Sequence, residues 1–334
     1  MGTLYITQED AFIGKADERI IVKHEKNNII DVPLIKVDGV VTFGRATVSP
    51  MVVNELLERH IPLSFLTASG KYLGRLEPEV TKNIFVRKAQ WSAIGDSPQA
   101  IHLVQGFVRG KLKNYRNLLQ RRKREHSLTE LEQKIEIIKE CLTSLQTASN
   151  IDSIRGLEGA GSAAYFACFN QLIKNSDFEF ETRRRRPPTD PVNSLLSLGY
   201  ALLRHDVQSA VNIVGFDPYL GYLHVEHYGR PSLALDLMEE FRPIVVDSVV
   251  LTAINKGILS VSDFTKEPVS NAVSLTKDGL KVFLRLYAEK KQSQFKHPVL
   301  QRQCSYQEAF EIQARFIAKY LMSETDKYPP LVFN

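Results

Sequence analysis

Apolar and polar positions follow two different periods along this chain. From the N-terminus to about residue 80 the apolar residues fall in short, β-branched runs: Leu4-Tyr5-Ile6, Ala11-Phe12-Ile13, Arg19-Ile20-Ile21-Val22, Ile29-Ile30-Asp31-Val32, Ile35-Lys36-Val37 and Val40-Val41-Thr42-Phe43. Turn formers such as Asn27-Asn28 and Asp38-Gly39 separate them, which predicts strands. Ser49-Pro50 opens a short helix, with the serine as cap and the proline in the first turn. Val52, Val53, Leu56 and Leu57 then repeat at helical spacing. Two further strands are expected over Ile61–Leu66 and Tyr72–Leu76, around the turn Ala68-Ser69-Gly70.

Past residue 83 the apolar period lengthens to that of amphipathic helices. The spacing predicts helices near 83–92, 97–124, 128–148, 151–174, 191–214, 232–257, 274–290 and 305–323. The expected fold class is therefore α+β: a small β-rich N-terminal domain (1–78), then a larger all-α domain (79–334), hinged at Arg75-Leu76-Glu77-Pro78-Glu79. Residues 175–190 read as a loop, because Pro187-Pro188 stops a helix. Asp190 can cap, and Pro191 can start, the helix that follows. Tyr328-Pro329-Pro330-Leu331 predicts an extended, mobile tail.

Composition adds bounds. A length of 334 residues exceeds one average domain, and 43% hydrophobic with 24% charged residues suits a chain that buries a core. The formal net charge of +5 permits a nucleic-acid partner without requiring one. Its distribution says more, since Arg121-Arg122-Lys123-Arg124 and Arg183-Arg184-Arg185-Arg186 are dense cationic blocks. Cys141, Cys168 and Cys304 are far apart and form no CxxC, which argues against a disulfide framework or zinc ribbon and fits a reducing cytosol. The N-terminus shows no secretory pattern and no apolar run approaches bilayer length, so a cytoplasmic protein without a membrane partner is expected. Walker A, GxGxxG, HExxH and GxSxG patterns are missing from their required settings.

Three segments carry candidate chemistry. Arg155 to Phe166 places Glu158 among Gly156, Gly159 and Gly161; each helical glycine costs about 1 kcal/mol relative to alanine, so a close helix or DNA backbone should offset it. Gly221 to Ser232 links two helices and holds His224 and His227, either a ligand or a hydrogen-bonded structural histidine. Ser232 to Pro243 puts Leu233, Leu237 and Phe241 on a buried stripe and Asp236, Glu239 and Glu240 on a neighbouring face. A solvated acidic face, or salt bridges to Arg230 or Arg242, explains those acids as well as a cation does. Together, two carboxylates and an imidazole make a mixed oxygen and nitrogen donor set suited to Mn²⁺ or Mg²⁺.

At these residues the sequence resembles the CRISPR-associated integrase family. The strings are Gly-Leu-Glu-Gly-x-Gly-Ser-Ala-Ala-Tyr-Phe at 156–166, Asp190 to Tyr200, Gly215 to His224 and Gly229 to Pro243, with weaker similarity at Val41-Thr42-Phe43-Gly44 and Ile61-Pro62-Leu63. The resemblance implies a metal-dependent endonuclease and integrase that inserts short DNA spacers into a CRISPR array through attack by a 3′-hydroxyl. It implies Glu158, His224 and Glu239 as catalytic ligands of Mg²⁺ or Mn²⁺, with Asp236 supporting the metal site and His227 ranked lower. Arg183, Arg184, Arg185 and Arg186 are expected to grip DNA, and Tyr165, Asn193 and Tyr200 lie in family-like strings as further candidate DNA contacts or core residues. Implied partners are double-stranded DNA, a second copy in a homodimer, and a small second Cas adaptation protein in a hetero-hexamer. The rivals are a general metal-dependent nuclease on branched DNA or RNA and a non-catalytic DNA-binding scaffold.

Overall fold

A computed structural model describes residues 2–68, 70, 72–76, 83–95, 97–125 and 129–333. The strand-rich part comprises β1 (Gly2–Ile6), β2 (Ala11–Ala16), β3 (Arg19–His24), β4 (Asn27–Pro33), β5 (Val37–Phe43), β6 (Ala46–Val48), α1 (Pro50–Glu58), β7 (Leu63–Leu66) and β8 (Tyr72–Leu76). Two four-stranded sheets form, in the orders β1-β5-β7-β8 and β4-β3-β2-β6. In the first, β1, β5 and β7 run parallel and β8 closes the edge antiparallel. As the sequence predicts, Ser49 caps α1 by accepting from the Val52 amide.

Between the two sheets lies a compact apolar core that includes Ile6, Ile13, Val22, Val40, Leu56 and Leu63. The other face of the first sheet presents Val41, Phe43 and Leu66 to the helices. Both faces of β5 are therefore covered, as parallel strands require, and only Asp38 along it is not buried.

The helical part follows: α2 (Ile84–Ser92), α3 (Pro98–Glu125), α4 (Thr129–Ser144), α5 (Ile151–Ala167), α6 (Pro191–Val214), α7 (Ser232–Met238), α8 (Ser248–Asn255), α9 (Lys277–Gln292) and α10 (Tyr306–Leu321). Two short antiparallel hairpins, β9 (Phe264–Lys266) with β10 (Val273–Leu275) and β11 (Gln294–Lys296) with β12 (Gln303–Ser305), correct the all-α expectation in detail. Three-residue strands are too short to leave an alternating signal. The α+β class itself stands. The expected boundary at residues 78 and 79 lies outside the described residues, as do Ser69 and much of the expected hinge.

Two other differences matter for the site. The expected helix over 232–257 is broken: α7 ends at Met238, and Arg242–Asp247 form a π-helical turn before α8. Pro243 has no N–H to donate, so the α-helical ladder cannot continue through it. The tail does not project freely but packs against the helices. Tyr328 and Leu331 are buried, with the Tyr328 hydroxyl 2.7 Å and the Leu331 amide 2.9 Å from the Glu240 carboxylate. Asn114 of α3 adds a hydrogen bond to the Leu331 carbonyl.

Polar contacts join the strand-rich part to the helices. His205 of α6 meets the Ser64 hydroxyl of β7 through Nε2. Lys291 of α9, fully buried, reaches Thr3 of β1 at 2.9 Å and Asp206 of α6 at 2.8 Å. Burial pushes the His205 imidazole down to about 4 from the usual 6.5. An imidazole that stays neutral when folded stabilises the fold fully above pH 6.5 and loses that stability as pH falls towards 4. Urea unfolding between pH 7 and 4.5 should lose on the order of 1–3 kcal/mol from this residue. A His205→Asn chain should show a flatter pH profile over the same window.

Candidate active site

A pocket of about 430 Å³ opens between α3, α5, α6, the 179–186 loop and the segment after α7. α5 starts at the Asn150 cap, which accepts from the Ser153 amide at 2.8 Å. One turn apart on this helix, Glu158 and Ser162 face the pocket, and the Ser162 hydroxyl donates to Glu158 Oε1 at 2.8 Å. The nearby glycines divide their roles. A Cβ at Gly161 would fall 2.3 Å from Leu112 of α3, so the absence of a side chain there lets the helices approach. Gly156 and Gly159 face open space and leave the rim beside Glu158 smooth.

His224 sits on the irregular segment between α6 and α7, and its orientation is fixed by one buried carboxylate. Asp236 of α7 accepts from the amides of Tyr222 at 2.6 Å, Leu223 at 3.0 Å and His224 at 2.9 Å, and pairs with His224 Nδ1 at 2.7 Å. Gly221 makes this possible, because a Cβ there would lie 2.8 Å from Asp236 Oδ2 and 2.6 Å from Ser232. Burial disfavours the imidazolium, but the hydrogen bond and charge of Asp236, helped by Glu239, raise the His224 pKa above its ordinary value. With Nδ1 engaged, Nε2 faces Glu239 Oε1 across 3.7 Å.

Glu239 follows α7 directly and is almost fully buried. Burial opposes its ionisation; Arg242, Lys111 and His224 together hold its carboxyl down to about 2. Arg242 Nε donates to Oε1 at 3.0 Å, so the Arg242 salt bridge considered from the sequence is present. Lys111 of α3, itself buried, places its ammonium between the two glutamates, paired with Glu158 and 2.6 Å from Glu239 Oε2. Like charges brought together in a protein interior need such compensation.

The donor types fit a hard divalent ion, and two observations favour the fit. Glu239 Oε2 is buried without a hydrogen bond, since its contact to Lys111 lacks hydrogen-bond geometry. His224 Nε2 is turned into the pocket by the Asp236 contact at Nδ1. In this arrangement Lys111 stands between Glu158 and Glu239, and among the described residues no three His, Cys, Asp or Glu groups converge as a metal cage.

Other sequence candidates divide. Arg183 and Arg185 line the pocket; Arg184 pairs with exposed Glu181 at 3.2 Å, and Arg186 is exposed. Asn193 is fully buried: its Oδ1 accepts from Arg183 at 2.7 Å and from the Arg184 amide at 2.9 Å, pinning the arginine loop to α6. Of the two readings open for Tyr165, its surroundings match a core residue. It is wholly buried, stacked 3.7 Å from the Tyr115 ring, with its hydroxyl on Asp247 at 2.9 Å. Tyr200 does line the pocket, donates to Asp247 at 2.6 Å and carries the Arg242 guanidinium over its ring. His227 is exposed. In the other basic block, Arg122 donates to the Gln171 carbonyl at 2.8 Å and Lys123 pairs with Glu132 at 2.5 Å.

Sequence reasoning missed Lys111, Tyr115, Ser162 and Asp247. Lys111 had a signal: with Val104, Val108, Tyr115 and Leu119 it occupies the buried stripe of α3, where a lone cation requires a carboxylate partner.

Fold and pocket together define an α+β protein with an acid–imidazole site walled by cations. The sequence model of "CRISPR associated protein Cas1" matches residues 4–289, and the chain belongs to that family. It is 34% identical over 340 residues to the CRISPR-associated endonuclease Cas1 of Chlorobaculum tepidum, covering 100% of this chain and 99% of the relative. It is 35% identical over 332 residues to that of Thermus thermophilus, covering 99% and 97%. Among solved structures, a Cas1 protein from Thermotoga maritima shares the fold at a TM-score of 0.78 and 23% identity, over 100% of this chain and 99% of that one. A casposase bound to its integration product does so at 0.83 and 22%, over 100% and 95%.

Two variants test the electrostatics. Asp236→Asn removes the charge facing Nδ1, so burial should dominate and the His224 pKa should drop, as read by ¹⁵N NMR titration of the imidazole. Lys111→Met leaves two facing carboxylates without their ammonium; the metal-free protein should lose about 3–5 kcal/mol in urea unfolding.

Proposed function

We propose that this chain is a DNA endonuclease and integrase of CRISPR adaptation, joining short duplexes into a repeat by transesterification. The carrying observation is that Glu158, His224 and Glu239, from three separated stretches, face one pocket that Lys111, Arg183, Arg185 and Arg242 also line. Such a pocket suits a phosphodiester: acids and an imidazole to hold an ion, and guanidinium groups beside them for the nonbridging oxygens. The names of the relatives, CRISPR-associated endonucleases, support the reading.

In this reading Glu158, His224 and Glu239 hold a divalent ion, Mn²⁺ or Mg²⁺. When bound, the ion polarises the phosphate and offsets charge developing on the leaving oxygen. Asp236 orients His224 through Nδ1, and the three amides on its oxygens suit it to that support better than to direct coordination. Lys111 and Arg242 balance the acids and present cations to the incoming phosphate. Arg183 and Arg185, on the loop pinned by Asn193, hold the DNA backbone near the reacting bond. One phosphodiester replaces another, so no nucleotide hydrolysis is required.

The assembly belongs to the same proposal. The N-terminal part, residues 1–78, serves as the dimerisation domain, and two dimers meet a dimer of the small second adaptation protein. A solved complex named Cas6-RT-Cas1–Cas2, matched at a TM-score of 0.81 over 36% of its chain, is consistent with such a partner. Among the described residues no helix is long and apolar enough to cross a membrane.

The deciding experiment is strand transfer into a supercoiled repeat-bearing plasmid, with the second adaptation protein present and Mn²⁺, Mg²⁺ or chelator added. Glu158→Ala should reduce the product by at least about 10²-fold, on the scale of removing a group that stabilises transition-state charge, and leave DNA binding intact. Cutting without joined product would favour a general nuclease. Wild-type activity in the Glu158→Ala protein would leave only a binding scaffold.

A further inference from the structure

α3 carries a second set of cations, turned away from the site just described. Arg109, Lys113 and Arg116 lie at i, i+4 and i+7, within about 60° of one another around the helix, whereas Lys111 and Tyr115 project from the opposite side. The outward set lines a groove of about 690 Å³ between α3 and α4, to which α4 adds Lys139 and Thr143 and the turn after it adds Gln146.

No acid lines this groove among the described residues. Lys139 pairs with Glu136 at 2.7 Å on an exposed stretch of α4, a pair worth little in solvent. Arg109 and Lys113 have no hydrogen bond or ion pair among the described residues. Arg116 has a buried Nε without a partner, and its outer nitrogen reaches only Asn117 Oδ1 at 3.4 Å. The carbonyl end of α4 supplies about half a negative charge at most, which cannot balance three cations. The groove therefore carries uncompensated positive charge.

We propose that this groove is a binding site for the phosphate backbone of duplex DNA, on the face of α3 opposite the acid–imidazole pocket. The chemistry favours phosphate over an acidic protein. Guanidinium and ammonium groups alternate over about 10 Å of helix, a length a strand backbone can follow. The side-chain amide of Gln146 adds a neutral donor of the kind found at phosphate contacts. Leu142 is the one apolar side chain among the groove's described lining residues, too little for the aromatic or aliphatic anchors that hold protein interfaces together. With no aromatic ring to stack on bases, the contact reads no sequence. The pocket and this groove then grip DNA on two faces of a single helix, which extends the proposed function to a second, non-reacting stretch of DNA.

The test is duplex-DNA affinity of the full chain, by fluorescence anisotropy between 50 and 200 mM salt, for the wild type and an Arg109→Ala, Lys113→Ala, Lys139→Ala triple variant. Loss of two to three phosphate contacts should flatten the slope of log affinity against log salt by about 2–3 and weaken all duplex sequences alike. These side chains are exposed or half-buried, so the thermal transition should stay near wild type. Should the triple variant fail to fold, Lys113→Glu alone decides, with the same flattening at smaller size. An unchanged slope and affinity would overturn the proposal, and so would lost assembly with the second adaptation protein at unaltered DNA affinity. The Glu158→Ala chain separates this claim from the enzymatic one: it should keep the wild-type slope, so absent strand transfer in every protein would sink the catalytic reading and leave the groove standing.

Discussion

Compensation of buried charge organises this molecule. Glu158 and Glu239 face one pocket with the Lys111 ammonium between them, and Asp236 is wholly buried beside them. An uncompensated charge in such a place costs several kcal/mol. Lys111 answers both glutamates, Arg242 answers Glu239, and three amides with His224 answer Asp236. Each answer comes from a different element, so α3, the segment before α7 and the π-helical turn all have to be in place before the acids can be. The site is a consequence of the tertiary fold rather than of any one helix.

The break after α7 is the local device that makes this work. A regular helix would point Glu239 and Glu240 about 100° apart and carry both onward with the ladder. The turn before Pro243 instead sends adjacent acids to different tasks. Glu239 enters the pocket beside Lys111, Arg242 and the His224 imidazole. Glu240 turns to Gln313, Tyr328 and the Leu331 amide and holds down the C-terminal tail. Burial pushes its carboxyl up to about 8 against those three hydrogen bonds, a stabilising proton that the folded state keeps below that pH.

α3 is the common strut. Its inner face gives Lys111 and Tyr115 to the pocket, Asn114 ties both the Glu240 carbonyl and the Leu331 carbonyl, and its outer face holds the unpaired cations of the second groove. Gly110 lies against Glu240 and Pro330, so the tail seats directly on this helix. A change along α3 therefore reaches the pocket, the tail and the outer groove through contacts no longer than a side chain.

Much of this was legible in the linear chain. Short β-branched runs marked most strands before residue 77, and the longer period marked the helices after 83, because backbone geometry imposes those spacings locally; β6 went unread, Ile35-Lys36 fall in a 3-10 turn, and Asp38-Gly39, read as a turn, lie within β5. The Ser49 and Asp190 caps were equally local, each satisfying an amide three residues ahead. Composition and motif strings singled out Glu158, His224, Asp236 and Glu239 and brought the family into view. Only the tertiary structure decided what those side chains do to one another. Tyr165 and Asn193 could be read as DNA contacts or as core, and the fold buries both; the tail read as free yet is buried; Lys111, the cation on which both glutamates depend, stands 47 residues from one of them along the chain. Charge pairing in a protein interior acts through space, and no periodicity in the sequence encodes which distant side chain will arrive to supply it.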